Sequence, residues 1–346
     1  MKKSIREIEG IRLNGRFDKK EKGLPLNWTA SGFEMKVKGS FLEIEIESEY
    51  NVYRSYISIE VDGLRAQTFA PLKGKHTYVA FWSLDKNKAH DVKLTLESQL
   101  FPYDGKITVW NVETDGEILP PNEKKTRIEF IGDSITSGEG GRGPVGFQEW
   151  VPMMFSASDN YARFVAEKMN AEYSVVSQSG WGVTNAWNND PACRIPRIYE
   201  MIAADEKPYD FSFDPDYVVI ALGTNDQGSL NQPEYTNPGT GEKYRLTKEM
   251  LPGWTEKAFE FLKTVHERNP RAKIVWASFF ENGEIFECTK NAVMKARDAG
   301  TDVRFVSALN LNRMPRGGMG SRSHPGIVSQ RHIAREILKV LKEKRG

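Results

Sequence analysis

Two regimes of hydrophobic patterning divide the chain. From about residue 33 to residue 112, apolar and polar positions alternate with a period of two, as they do along strands with one buried and one wet face. Residues 41–47, Phe-Leu-Glu-Ile-Glu-Ile-Glu, interleave acids with aliphatics, and residues 56–61, Tyr-Ile-Ser-Ile-Glu-Val, repeat the pattern. Asp62-Gly63 then supplies a hairpin turn ahead of a run over 64–69. Further strands are predicted over 76–82, 91–97 and 106–112. Short strands at this spacing, with no helical period among them, predict an all-β sandwich of the jelly-roll kind over residues 1–118.

Residues 119–125, Leu-Pro-Pro-Asn-Glu-Lys-Lys, end that regime. Adjacent prolines do not fit central ladder positions and the charges favour water, so a linker is predicted here. Beyond it, over 126–346, uninterrupted apolar runs at 128–131, 173–176, 217–222, 274–277 and 303–306 alternate with helical patterns near 160–169, 193–203, 248–267, 284–299 and 325–342. Strands without polar alternation are buried on both faces, which predicts an α/β domain of three layers around a parallel sheet.

Composition narrows the function classes. Across 346 residues, 48 Lys and Arg face 47 Asp and Glu, a formal charge of +1. No global field favours nucleic acid or an anionic membrane, and a neutral substrate fits better. The first ten residues carry acids at Glu7 and Glu9 and no apolar core of signal-peptide length, so a cytoplasmic location is expected if this is the natural start. Cys193 and Cys288 read as ordinary thiols rather than a disulfide. No His/Cys/Asp cluster has ligand spacing, so neither a metal nor an organic cofactor is expected.

The chemistry collects on one edge of the predicted sheet. Ser134 follows the first strand, Gly182 the second, Asn225 the third, and His324 lies after the fifth. Open α/β sheets build their sites beyond the carboxyl ends of their strands, where side chains and helix N-termini converge. A serine hydroxyl is a poor nucleophile near neutral pH and needs a base and donors for an oxyanion; in isolation it would more simply cap a helix. Imidazole is the side chain suited to shuttle that proton, and of five histidines only His324 stands beside a turn past the fifth strand. There is no Gly-x-Ser-x-Gly elbow around Ser134, which disfavours the α/β-hydrolase architecture.

Gly132-Asp133-Ser134-Ile135, Ser179-Gly-Trp-Gly182, Gly223-Thr-Asn-Asp226 and Ser323-His324-Pro325 resemble the four blocks of the SGNH (GDSL-type) hydrolases. Gly15-Arg-Phe17 and Trp28-Thr-Ala-Ser-Gly-Phe33 resemble the jelly-roll module of carbohydrate esterase family 2. The resemblance implies a flavodoxin-like hydrolase fold behind the sandwich. It makes Ser134 the nucleophile, His324 the base, and the Ser134 N–H, the Gly182 N–H and the Asn225 amide the oxyanion donors, with Gly180 as the alternative to Gly182. Asp133 is expected to orient or cap the turn.

The family pattern places an aspartate three residues before the histidine, where this chain has Ser321; Arg322 and Ser323 offer no carboxylate either. Loss of that acid can lower the rate about 10⁴-fold, unless a backbone carbonyl accepts from Nδ1–H and holds the tautomer, as expected for a Ser–His dyad. Insertions at 138–159 and 227–253 border the same edge, and Trp150, Trp181 and Trp187 are candidates to stack on a sugar. The resemblance thus implies an esterase releasing acetate from acetylated saccharides such as xylan or mannan fragments. A lipid ester, a thioester, an acyl transfer, or a binding protein with impaired catalysis are the rival readings.

Overall fold

The computed structural model describes residues 1–100, 105–204 and 207–343. It contains two compact units: Met1–Lys124 with Glu149–Ser158 and Met201–Tyr209, and Lys125–Gln148 with Asp159–Glu200 and Asp210–Gly346.

The first unit is a sandwich of two antiparallel sheets. One runs in the order Lys2–Ser4, Gly105–Thr114, Leu42–Tyr50, Gly74–Phe81; the other Glu117–Leu119, Gly32–Lys38, Ala89–Leu96, Ile57–Val61, Leu64–Phe69. Period-two alternation puts Leu42, Ile44 and Ile46 inside and leaves Glu43, Glu45 and Glu47 at the surface side of the same strand. Those aliphatics meet Phe33, Met35, Ile57, Ile59, Leu94 and Val109 in one apolar core. Every patterned strand is present with bounds within three residues of the pattern. Arg12–Asn14 and Leu24–Pro25 add two or three residues each at sheet positions that are too short to display a period.

The expected linker is built into this unit. Leu119 ends a strand paired with Gly32–Lys38, Asn122 accepts from Arg12 and Lys36, and Lys124 Nζ lies 2.8 Å from Glu34. Two segments far along the chain also join it. Ala157 N–H donates to the Glu97 carbonyl at 3.0 Å, and the Ile202 carbonyl accepts from Trp28 Nε1 at 2.7 Å.

The second unit holds a five-stranded parallel sheet in the order Ala171–Ser177, Thr126–Gly132, Tyr217–Ala221, Lys273–Ser278, Val303–Ser307. By sequence that is 2-1-3-4-5, the flavodoxin-like arrangement whose switch point lies between the first and third strands. Phe130, Ile131, Val219, Ile220 and Trp276 are buried in it, as unbroken apolar runs require. Tyr161–Lys168 packs with Ile327–Lys342, and Leu251–Arg268 with Glu284–Asp298.

One helix is much shorter than its pattern. Where 193–203 was predicted, only the turn Ile195–Ile198 forms, with Pro196 in its first turn. By residue 201 the chain has left for the first unit, where Met201 bridges Pro208 and its carbonyl accepts from Arg16. Among the described residues no helix is long and apolar enough to cross a membrane.

Candidate active site

Ser134 opens the one-turn helix Ser134–Ser137 directly after the first parallel strand. The turn is tight: a Cβ on Gly132 would lie 1.9 Å from Thr136 Oγ1, so only glycine fits. Asp133 caps the helix, its Oδ1 accepting from Ile135 N–H at 3.0 Å. Asn160 donates to the Ile135 and Thr136 carbonyls at 2.8 and 3.1 Å, and Ser137 bonds Ser177 at 2.8 Å. Ser134 is therefore mounted on a fixed turn at the carboxyl edge of the sheet.

His324 meets it there. Its Nε2 stands 2.8 Å from Ser134 Oγ, and its Nδ1 stands 2.8 Å from the Arg322 carbonyl. That carbonyl can only accept, so Nδ1 carries the proton and Nε2 presents its lone pair to the serine hydroxyl. Ser321, in the place of the family's aspartate, is fully buried and its hydroxyl finds no hydrogen-bond partner among the described residues. The orienting acceptor is a backbone atom. The base turn also crowds the nucleophile turn: a Cβ on Gly140 would come within 2.5 Å of the Ser321 carbonyl oxygen and 2.7 Å of His324 Cβ.

The three expected oxyanion donors occupy the ends of the first three strands. Gly182 sits in a loop bridged to Arg194, and Asn225 in the first turn of Thr224–Ser229. The Asn225 amide donates to the Trp181 carbonyl at 2.9 Å and to Asp133 Oδ2 at 3.3 Å. The second bond is long, so that hydrogen is the more weakly held of the two. These bonds tie Asn225 both to the turn that carries Ser134 and to the loop that carries Gly182.

Asp226, the last residue of the Gly223-Thr-Asn-Asp226 motif and given no role by the sequence, is what holds that loop. Fully buried, it accepts from Val183 N–H, Thr184 N–H and Trp254 Nε1 at 3.0, 3.0 and 2.8 Å. A Cβ on Gly182 would fall 2.3 Å from Asp226 Oδ2, so the loop closes on the carboxylate only because residue 182 is glycine. Burial raises the Asp226 pKa, against the hydrogen bonds it accepts. Burial likewise pushes Asp133 up to about 7; the charges of Asp226 and Glu139 add to this, and the Ile135 N–H opposes it.

The tryptophans separate. Trp187 is 52 % exposed and offers a ring face, whereas Trp181 is 7 % exposed and serves as a packing residue whose carbonyl anchors Asn225. Trp150 belongs to the first unit, edge-on to Tyr53 and Phe155, and so is spent on packing. Among the described residues no group of three His, Cys, Asp or Glu is placed to hold a metal.

A family model described as GDSL-like Lipase/Acylhydrolase family matches residues 130–341, and one described as Carbohydrate esterase 2 N-terminal matches residues 13–121. The chain is 25% identical over 330 residues to an acetylxylan esterase/glucomannan deacetylase of Cellvibrio japonicus, covering 92% of this chain and 86% of that one. The structure of an acetyl xylan esterase from the rumen bacterium Butyrivibrio proteoclasticus superposes with a TM-score of 0.94 at 32% identity, covering 99% of this chain and 98% of that one. A family two carbohydrate esterase from Clostridium thermocellum, in complex with cellohexaose, shares the fold at a TM-score of 0.83 and 24% identity over 96% of this chain and 98% of its own.

Proposed function

The chain belongs to the GDSL-like lipase/acylhydrolase family, and from that premise we propose that it removes O-acetyl groups from acetylated saccharides through Ser134 and His324. It is an esterase with a carbohydrate esterase 2 N-terminal domain. The observation that carries the reading is the relay of two 2.8 Å contacts, Ser134 Oγ to His324 Nε2 and His324 Nδ1 to the Arg322 carbonyl.

Ser134 Oγ attacks the acetyl carbonyl carbon while Nε2 takes the hydroxyl proton. The tetrahedral oxyanion is held by the N–H groups of Ser134 and Gly182 and by the Asn225 amide, each such donor worth roughly 2.7 to 4 kcal/mol. The imidazolium then gives its proton to the departing sugar oxygen as the ester C–O bond breaks. Water repeats the sequence on the acetyl-serine and releases acetate, with His324 again taking and returning one proton. Trp187 supplies a stacking face for a sugar ring.

Relatives named acetylxylan esterase and glucomannan deacetylase support acetylated xylo- and manno-oligosaccharides as the substrates. Incubation with a panel of them, followed by NMR of the acetyl positions, tests the proposal. Release of acetate by the wild type and none by Ser134→Ala is expected. A preference for long acyl chains over acetate would overturn the saccharide reading in favour of a lipid ester.

A further inference from the structure

The acceptor that orients His324 is held in an unfavourable conformation. Arg322 has φ +52° and ψ +34°, and Ser323 has φ +58°. Two consecutive left-handed residues, neither of them glycine, persist only where their surroundings over-determine them. This turn swings the Arg322 carbonyl back onto the ring two residues ahead.

Three bonds fix Arg322. Its N–H donates to the Phe147 carbonyl at 2.8 Å, Nη1 to the Gln148 carbonyl at 3.0 Å, and Nε to Glu139 Oε1 at 2.7 Å. Glu139 is 2 % exposed, and a carboxylate that deep needs a charged or hydrogen-bonded partner. Its backbone N–H donates to the Ser134 carbonyl at 3.0 Å, and its Oε2 stands 3.9 Å from His324 Nε2. The side chain that grips the base turn thus grows from the segment that carries the nucleophile.

We propose that Glu139 and Arg322 form a latch that holds the Arg322 carbonyl against His324 Nδ1, so that an ion pair outside the dyad orients the base where the family uses an aspartate. Glu139 and Arg322 are positioning residues; neither touches the reacting ester. The inference rests on the reading of Ser134 and His324 as nucleophile and base, and it deepens that reading.

Glu139→Ala lowers kcat about 10- to 100-fold with KM nearly unchanged, because a small misplacement of a catalytic group is enough to do so. Glu139→Gln, which keeps an acceptor for Arg322 Nε, recovers part of the loss. Arg322→Ala falls to the same level, and the double variant falls no further, since both changes open one latch. The proton NMR of the wild type is expected to show the downfield resonance of a hydrogen-bonded His324 Nδ1–H, absent in His324→Ala and lost or broadened in Glu139→Ala.

A Glu139→Ala kcat within twofold of wild type, additive losses in the double variant, or a resonance unchanged in both Glu139 variants would each overturn the latch. If Glu139→Ala does not fold, Glu139→Gln and Arg322→Lys carry the same readout. The resonance needs no turnover, so a wild type that retains it without cleaving acetyl esters would refute the proposed substrate and leave the latch standing.

Discussion

Each compact unit buries carboxylates, and Glu34 in one is handled in the opposite way to Asp133 and Asp226 in the other. In the sandwich unit Glu34 lies at 2.8 Å from Arg12 and 2.8 Å from Lys124, with Lys93 at 3.4 Å. Burial alone would raise its pKa, but Lys93, Lys124 and Arg12 together outweigh burial and hold it far below the ordinary carboxylate range. In the hydrolase unit Asp133 and Asp226 are fully buried with no cation paired to either among the described residues. Their partners are N–H groups of the turns they shape, and burial wins. Glu34 is a charge locked in place by charges, whereas Asp133 and Asp226 are hydrogen-bond acceptors that position loops. The first arrangement serves stability and the second geometry.

The comparison breaks most sharply if the loops of the hydrolase edge do not serve chemistry. Ser134→Ala and His324→Ala should each lower esterase kcat about 10⁴-fold or more, because a dyad loses its function with either member. Thermal unfolding of both variants should stay close to wild type. Residual turnover within tenfold of wild type would remove the dyad from the mechanism.

Next in size is the sandwich cluster. Glu34→Gln leaves Arg12, Lys93 and Lys124 close together without their counter-charge, and breaking a buried ion pair destabilises by about 3 to 5 kcal/mol. Urea denaturation followed by tryptophan fluorescence measures it. A loss below about 1 kcal/mol would place Glu34 with ordinary surface pairs and end the contrast.

At the hydrolase edge, Asn225→Ala should reduce kcat about 10²- to 10³-fold, equivalent to about 2.7 to 4 kcal/mol, with a smaller change in KM. A change confined to KM would make Asn225 a ground-state binding group instead.

The difference between the units also explains what the sequence could show. Buried parallel strands write themselves as unbroken apolar runs, so Ile128, Val219 and Val275 located the sheet, and Ser134, Gly182, Asn225 and His324 could be placed on its edge. That a backbone carbonyl could replace the acid was legible, but not that it belongs to Arg322, because a carbonyl leaves no residue signature. Glu139, five residues after Ser134, carries no spacing that announces a partner 183 residues further on. Long-range membership was equally silent: residues 149–158 and 201–209 join the first unit through bonds to Glu97, Trp28 and Arg16, not through any local pattern. Residues 119–125 misled for the opposite reason, since prolines and lysines that suit a linker also suit a strand end and a cation for Glu34.

The most gradual effect, spread over several pH units, bears on the titration of the two carboxylates, and there the signs separate. Glu34 binds its proton less readily folded than unfolded, so its contribution to stability is present above pH 4.5 and is lost as pH falls below that. Asp133, raised to about 7 from 3.8, binds its proton more readily when folded. Its contribution is full below about pH 3.8 and is lost as pH rises through about 7, so between those values it tilts stability downward with increasing pH. One proton sets the limit of that slope at about 1.4 kcal/mol per pH unit. Asp133→Asn keeps an oxygen to cap Ile135 N–H and removes the proton, so the downward tilt from pH 4 to 7 should flatten, while Asp226, shifted the same way, retains its own share. Denaturation midpoints measured at half-unit steps across that window decide it. An Asp133→Asn profile parallel to wild type would mean that Asp133 is ionised at pH 5 to 6 despite its burial, and that the hydrogen bonds around Ser134 hold a charge as firmly as the cations around Glu34 do.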